Sequence, residues 1–478
     1  MKTRVEHDLL GAMEVPADAY YGIHSLRAME NFDLSGIKLH AELVRAIADV
    51  KKACALANVR TDRLEERIAK AIAQACDEIS SGGLQDQFVT DVFQGGAGTS
   101  ANMNANEVIA NRAIEILGGE KGDYGLVHPL DHVNLSQSTN DVFPTAVKLA
   151  AIRLLIPASQ AMADLQRALQ EKENEFASVL KTGRTEMQDA VPITLGQEFA
   201  SWAQAIGRDW WRLYKVEERL RQVNLGGTAI GTGLNADQKY VYAVVDILRD
   251  ITNVPLARAE NMIDVTQNAD VFAEVSGLIK AAAVNLGKIA SDLRILSSGP
   301  RSGIGEIKLP PLQAGSSIMP GKVNPVATEA VSQAAFQIIA NDHAITIAAM
   351  SGQLELNAFL PMLSHNLFQS LQLIKNAALL LADKCVSGIK ADNDRCRTLL
   401  EGSFAMLTAL CPHIGYETAS ELAIEAEKSG KTIREIALEK KLLTPDQLDA
   451  ILSSVEMTKP GIAGAKGGAP NLRERRSS

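Results

Sequence analysis

Between Gly315 and Pro325 the chain reads Gly-Ser-Ser-Ile-Met-Pro-Gly-Lys-Val-Asn-Pro. Two hydroxyls (Ser316, Ser317), a cation (Lys322) and an amide (Asn324) crowd into one short stretch, with Gly315 and Gly321 as its pivots and Met319-Pro320 between. That set offers a base, a fixed positive charge and a hydrogen-bonding group. A plain connector between helices explains little of it, whereas a rigid scaffold presenting a loop of reactive groups explains all of it.

Two further stretches carry donors at similar density. Gly95-Gly96-Ala97-Gly98-Thr99-Ser100-Ala101-Asn102-Met103-Asn104 combines exposed backbone N–H groups with hydroxyls ahead of a helix, an arrangement that favours anions. Asn134-Leu135-Ser136-Gln137-Ser138-Thr139-Asn140-Asp141 does the same. Each also reads as an ordinary glycine turn or N-capping cluster, since Ser, Thr, Asn and Asp all favour caps.

Long helices must position these stretches. The chain has 478 residues, 46% of them hydrophobic and only 4% aromatic. Its core is therefore built from Ala, Leu, Ile and Val, which suits close-packed helices better than a β-sandwich. The apolar spacing predicts helices over 41–80 and near 104–117. Longer ones are predicted over 144–180, 192–224, 237–252, 267–298, 325–351 and 361–389. Several exceed the usual globular length. Residues 275–290 are apolar on more than one face, so that helix is expected in a bundle shared between subunits. Residues 1–40 read as irregular, with Gly11, Pro16, Gly22 and Gly36 as breakers. Residues 391–478 read as a small helical domain. There Thr444 is the N-cap, Pro445 sits at N1, Gln447 completes a capping box, and Gly430 ends the preceding helix. The divisions expected are 1–140, 141–390 and 391–478. The last residues, from Lys459, form a Gly/Pro/Ser-rich basic tail to which no function is assigned.

The formal net charge of −9 argues against nucleic acid as a partner. Five scattered cysteines without a CxxC pair read as free thiols in a reducing compartment. The N-terminus lacks the apolar core of a signal peptide, and no stretch reads as the roughly 18 apolar residues a membrane span needs. Together these predict a soluble, cytoplasmic protein without a membrane partner. No metal-ligand spacing is readable.

The loop at 315–325 resembles the signature loop of the aspartase/fumarase superfamily. The similarity extends, in the family's order, to DLLGAMEVPADAYYGIHSLRAMENF, QGGAGTSANMNANEVIANRA, HPLDHVNLSQSTNDVFPTA, TGRTEMQDAVPITLGQEF and GQLELN at 352–357. It covers essentially residues 5–462. The resemblance implies a three-domain, mainly α subunit, a twenty-helix bundle in a homotetramer, and active sites shared by three subunits. It implies reversible anti-elimination across a small dicarboxylate through an aci-carboxylate. EHDLLG, AYYG, TQNAD at 266–270 and GQLELN look like the ammonia-eliminating branch, which turns L-aspartate into fumarate. NAFLPM and SHNLFQS resemble the fumarate-hydrating branch. The alternatives are thus fumarate hydration, a lyase for another amine adduct of a dicarboxylate, and a non-catalytic member of the fold.

By the same resemblance Ser316 is the base. Thr99, Ser138, Thr139 and Thr185 hold the carboxylate that gains charge, Lys322 and Asn324 hold the other, and Asn140 touches substrate. Gly321 and Pro320 suit a closing loop. The family uses no cofactor. Magnesium activates some members, but no ligand set for it is readable here. One departure stands out: Glu186 follows Thr185 where the family has His or Gln. An anion there repels a carboxylate, pairs with a cation such as Lys322, or receives a substrate ammonium. His128 matches part of a second carboxylate site of fumarases, but Leu130 replaces its usual Asn, so that site is not expected.

Overall fold

The computed structural model describes residues 2–465; the basic tail lies outside them from Lys466 on. The chain opens with an antiparallel hairpin, β1 (Thr3–Asp8) and β2 (Gly11–Pro16), which corrects the irregular reading of this region. Asp8 Oδ1 accepts Leu10 N–H at 2.8 Å and Gly11 takes φ +118°, which together make the turn. Helices α1 (Ile23–Asn31), α2 (Ala41–Arg60) and α3 (Glu66–Ser80) follow. The single helix expected over 41–80 is broken because Asp62 adopts φ +55° and the Thr61 hydroxyl turns back to Asn58 O.

Next come α4 (Thr99–Ile116) and α5 (Thr139–Glu175). Pro144 inside α5 has no N–H for the Asn140 carbonyl four residues earlier. Asn224 Nδ2 satisfies that carbonyl instead, at 3.0 Å. A hairpin, β3 (Leu180–Thr185) and β4 (Gln188–Thr194), precedes α6 (Leu195–Val216). Then come β5 (Gln222–Val223), α7 (Gln238–Thr252), β6 (Ala257–Arg258), α8 (Met262–Gln267), α9 (Asp270–Leu296), β7 (Ile307–Lys308), α10 (Val326–Met350) and α11 (Leu360–Leu379). β8 (Lys390–Ala391) leads to α12 (Asn393–Glu401), α13 (Leu407–Ile414), α14 (Tyr416–Ser429), α15 (Ile433–Glu439), α16 (Pro445–Ile451) and α17 (Ser454–Met457). Every sheet among the described residues has two strands, so the fold is mainly α, as composition requires.

By length and composition α5 matches a membrane span, contrary to expectation. However, 78% of its most apolar window is buried inside the protein, which accounts for that composition without a membrane.

The chain forms two compact units. The first comprises the residues up to Met162, Arg208–Gly287 and Gln333–Ala378. Its interior is close-packed small aliphatic residues such as Val50, Ala53, Val108, Ile109 and Ala150, all fully buried. The second comprises Ala163–Gly207, Lys288–Ser332 and the residues from Leu379 on. Its C-terminal part packs Leu410, Leu422, Ile436 and Leu448 into a core of its own, each stabilising it by about 1.5–3 kcal/mol. Thr444 makes a complete capping box with Gln447 and Gly430 is left-handed at φ +70°, as read from the sequence; Thr432 and Glu435 form a second box that the reading did not include. All five cysteines are free thiols.

Candidate active site

In the first unit the segment from Gly95 turns into α4. Gly96, Ala97 and Gly98 all have positive φ, at 72°, 55° and 98°. A Cβ on Gly98 would come within 2.6 Å of the Phe143 ring, so this glycine lets the turn lie against α5. Thr99 is exposed at the start of α4, its hydroxyl donating to Gly96 O at 2.6 Å.

Ser138, Thr139 and Asn140 open α5. Ser138 Oγ accepts Asn140 N–H at 3.2 Å, and Ser138 N–H donates to Asp141 Oδ1 at 3.0 Å, so the cluster does cap its helix. It does more than that. Thr139 is buried and accepts a hydrogen bond from Asn102 Nδ2 of α4 at 3.1 Å. Asp141 Oδ2 accepts the N–H groups of Gly226 and Thr228, both at 3.0 Å. Burial raises the Asp141 carboxyl to about pH 6. Asn140 Nδ2 donates to Ala229 O at 2.8 Å.

These bonds identify a segment not singled out in the sequence, Asn224–Asn235, reading NLGGTAIGTGLN. Its signal was present: glycines alternating with Thr228 and Thr232 repeat the composition of the two anion-favouring stretches. A cavity of about 660 Å³ lies between this segment and residues 134–138, lined in part by Asn134, Ser136, Gln137, Ser138 and Thr228.

The second unit holds the remaining candidates. Ser316 Oγ accepts two backbone N–H groups, from Ile318 at 3.2 Å and Met319 at 2.9 Å. Two donors on one oxygen favour its anionic form. Asn324 Nδ2 donates to Gly315 O at 2.9 Å and draws the loop ends together. A Cβ on Gly315 would sit 2.1 Å from Lys322 O, so only glycine fits there. Gly321 is left-handed at φ +79°. Ser317, Met319, Pro320 and Lys322 are exposed; Lys322 N–H donates to Met319 O at 3.3 Å, while its ammonium makes no hydrogen bond or ion pair among the described residues.

Thr185 and Glu186 lie at the exposed tip of the β3–β4 hairpin. Glu186 and Met187 are both left-handed, at φ 53° and 65°. Such two-residue turns are normally Asn-Gly; two large side chains here strain the tip. Glu186 has no ion pair among the described residues, so a Glu186–Lys322 pair is not formed within the chain. Arg184, next to the tip, and Lys181, near the base of the hairpin, converge on the fully buried Glu306, which heads β7. Lys181 also bonds Glu198 at 2.8 Å.

The structure thus joins Thr139 and Asn140 to a common network and gives Ser316 its anion-stabilising donors. The side chains of Lys322 and Glu186 make no hydrogen bond or ion pair with another candidate residue among the described residues. Among the described residues no group of three or more His, Cys, Asp or Glu is placed to hold a metal ion.

Residues 11–340 match a family model described as lyase, and residues 406–459 one described as fumarase C C-terminus. The chain is 51% identical to an aspartate ammonia-lyase of Bacillus subtilis (strain 168), covering 96% of this chain and 97% of the relative. It is 50% identical to an aspartate ammonia-lyase of Pseudomonas aeruginosa, covering 96% and 97%. Among solved structures it is similar to a fumarate lyase:delta crystallin from Brucella melitensis, with TM-score 0.92, 50% identity, and 96% and 100% of the two chains covered. A class II fumarase from Schistosoma mansoni gives TM-score 0.90 at 34% identity, covering 96% and 100%. The chain belongs to the aspartase/fumarase superfamily of lyases.

Proposed function

We propose that this carbon–nitrogen lyase catalyses the reversible anti-elimination of ammonia from L-aspartate to give fumarate. The observation that carries the chemistry is Ser316, whose oxygen accepts two loop N–H groups and is thereby made a stronger acid. As an alkoxide it takes a proton from the carbon bearing the side-chain carboxylate. The electron pair moves into that carboxylate, giving an aci-carboxylate. That pair then returns to form the carbon–carbon double bond, and the C–N pair leaves with the nitrogen as ammonia. Thr99, Ser138, Thr139 and Thr185 hold the carboxylate that gains charge, where fixed donors matter most. Lys322 and Asn324 hold the other carboxylate, Asn140 contacts substrate, and Glu186 receives the ammonium. The reading needs no cofactor.

We read the subunit as three segments, 1–140, 141–390 and 391–478, in a cytoplasmic homotetramer whose active sites draw on three subunits. Phe336 and Met350 of α10 are 66% and 77% exposed in the single chain, apolar surface that a shared bundle would cover. Light scattering is expected near 205 kDa, four times 51.3 kDa; an active monomer overturns the shared site. The functional test is fumarate absorbance on adding L-aspartate, then L-malate. Fumarate from aspartate and little from malate is expected; the reverse selects the hydratase alternative.

A further inference from the structure

Lys51 lies in the middle of α2, fully buried and without a carboxylate partner. Its ammonium donates to two amide oxygens, Asn134 Oδ1 and Gln137 Oε1, each at 2.9 Å. Both amides belong to the segment that runs directly into Ser138 and Thr139. Asn134 Oδ1 also accepts from Asn102 Nδ2 at 3.2 Å, and the same Asn102 amide reaches the Thr139 hydroxyl at 3.1 Å. One chain of hydrogen bonds therefore runs from the cation to a hydroxyl that meets the carboxylate. Burying an unpaired charge costs several kcal/mol, and a core has no packing need for it. Nearby, the side-chain oxygens of Asn102 and Asn106 are buried without partners, so this polar network is not a minimal structural one.

Resting on the elimination reading above, we propose that Lys51 is a positioning residue for the reaction. It is a buried, uncompensated cation that sets the 134–140 segment through Asn134, Gln137 and Asn102 and biases it towards the charge-accumulating carboxylate. The ionisable groups facing it are Cys54 on its own helix, Cys76 on α3 and Asp141 on α5. Burial holds both thiols protonated, and Asp141 is engaged by three backbone N–H groups. Burial also brings the Lys51 ammonium down to about 8, so its charge is lost just above neutral pH.

The test uses the assembled enzyme with aspartate as substrate. Asn134→Asp places an anion on Lys51 while the retained oxygen keeps its bonds to Lys51, Asn102 and Asn106, and it gives up only the 3.4 Å bond from Asn134 Nδ2 to Gln137 O. We expect kcat to fall about tenfold with KM and Tm nearly unchanged, because the charge matters in the transition state and not for folding. A fall of kcat near pH 8, expected from loss of the Lys51 charge, should move to higher pH in this variant, since an anion favours charged lysine. Lys51→Gln is expected to lose rate likewise and to lose that alkaline limb; if it does not assemble, Asn134→Asp decides alone. A wild-type kcat in Asn134→Asp overturns the role of Lys51. Wild-type enzyme forming no fumarate overturns the elimination reading itself, a distinct result.

Discussion

Arg184 and Glu306 are joined by two parallel hydrogen bonds, each 3.0 Å long, with the carboxylate fully buried. Arg184 immediately precedes Thr185 and Glu186, while Glu306 heads the strand that leads into the Ser316 loop. A planar guanidinium fixes both distance and angle, which an ammonium does not. Arg184→Met is expected to destabilise the fold by about 1.5–3 kcal/mol, less than for an unpaired buried charge because Lys181 still pairs with Glu306. Arg184→Lys keeps the charge and should recover most of the stability but not the geometry, leaving kcat/KM for aspartate well below wild type. Thermal melting and steady-state rates on the same samples check this. Equal recovery of both would show that charge alone matters.

Ser316→Ala removes the oxygen that accepts the Ile318 and Met319 N–H groups. Turnover is expected to fall by at least about a thousandfold, as for loss of an essential base with residual binding intact. The loop is exposed, so Tm and oligomeric state should hold. Activity within a few-fold of wild type would remove Ser316 from the mechanism.

The Lys322 ammonium is exposed and has no partner among the described residues, so Lys322→Met costs little packing. A cation facing a dianion contributes mainly to binding. We expect KM for aspartate and the inhibition constant of succinate both to rise by about tenfold or more. Unchanged values of both would mean that Lys322 is not a carboxylate ligand.

The site was legible in the sequence wherever chemistry and loop composition coincide, and less so where a tertiary contact decides. The Ser316 loop announces itself through Ser, Lys and Asn between glycines, and the capping box at Thr444 is local. The Asn224–Asn235 segment matters only because Asp141 and Asn140, far away in sequence, bond to it. The break at Asp62 and the strained Glu186-Met187 tip depend on left-handed residues that are not glycine, which composition does not signal. The β1–β2 hairpin went unread because breakers such as Gly11 also mark hairpin turns.

Glu107 gives a pH prediction. It is buried and accepts the N–H groups of Gly22, His24 and Ser25 and the Ser25 hydroxyl, holding the start of α1. Burial raises its carboxyl to about 7. Between its ordinary value and 7 the folded state therefore binds a proton that the unfolded chain does not. The stability from this group is full at low pH and lost as pH rises through 7, by up to about 3 kcal/mol. Glu107→Gln cannot titrate. The Tm advantage of wild type over the variant should narrow between pH 5 and 8; a constant or widening gap contradicts the assignment.

On the proposed reading Glu186 decides which leaving group the enzyme accepts. It sits exposed at a strained tip and makes no ion pair among the described residues. A substrate ammonium satisfies it; the neutral hydroxyl of malate does not, and a carboxylate beside it is repelled. Wild-type enzyme is therefore expected to show little malate dehydration. Glu186→Gln removes the charge at nearly constant shape, and Glu186→His installs a residue that is neutral or cationic. Both variants should lose kcat/KM for aspartate, because neither side chain holds an ammonium as a carboxylate does. The measurement is kcat/KM for aspartate, malate and several N-substituted aspartates in all three proteins. A wild type that prefers malate over every amine would refute the ammonia-lyase reading. One that ignores aspartate and malate yet cleaves a bulkier amine adduct would assign that specificity to Glu186, the residue by which this site departs from its family.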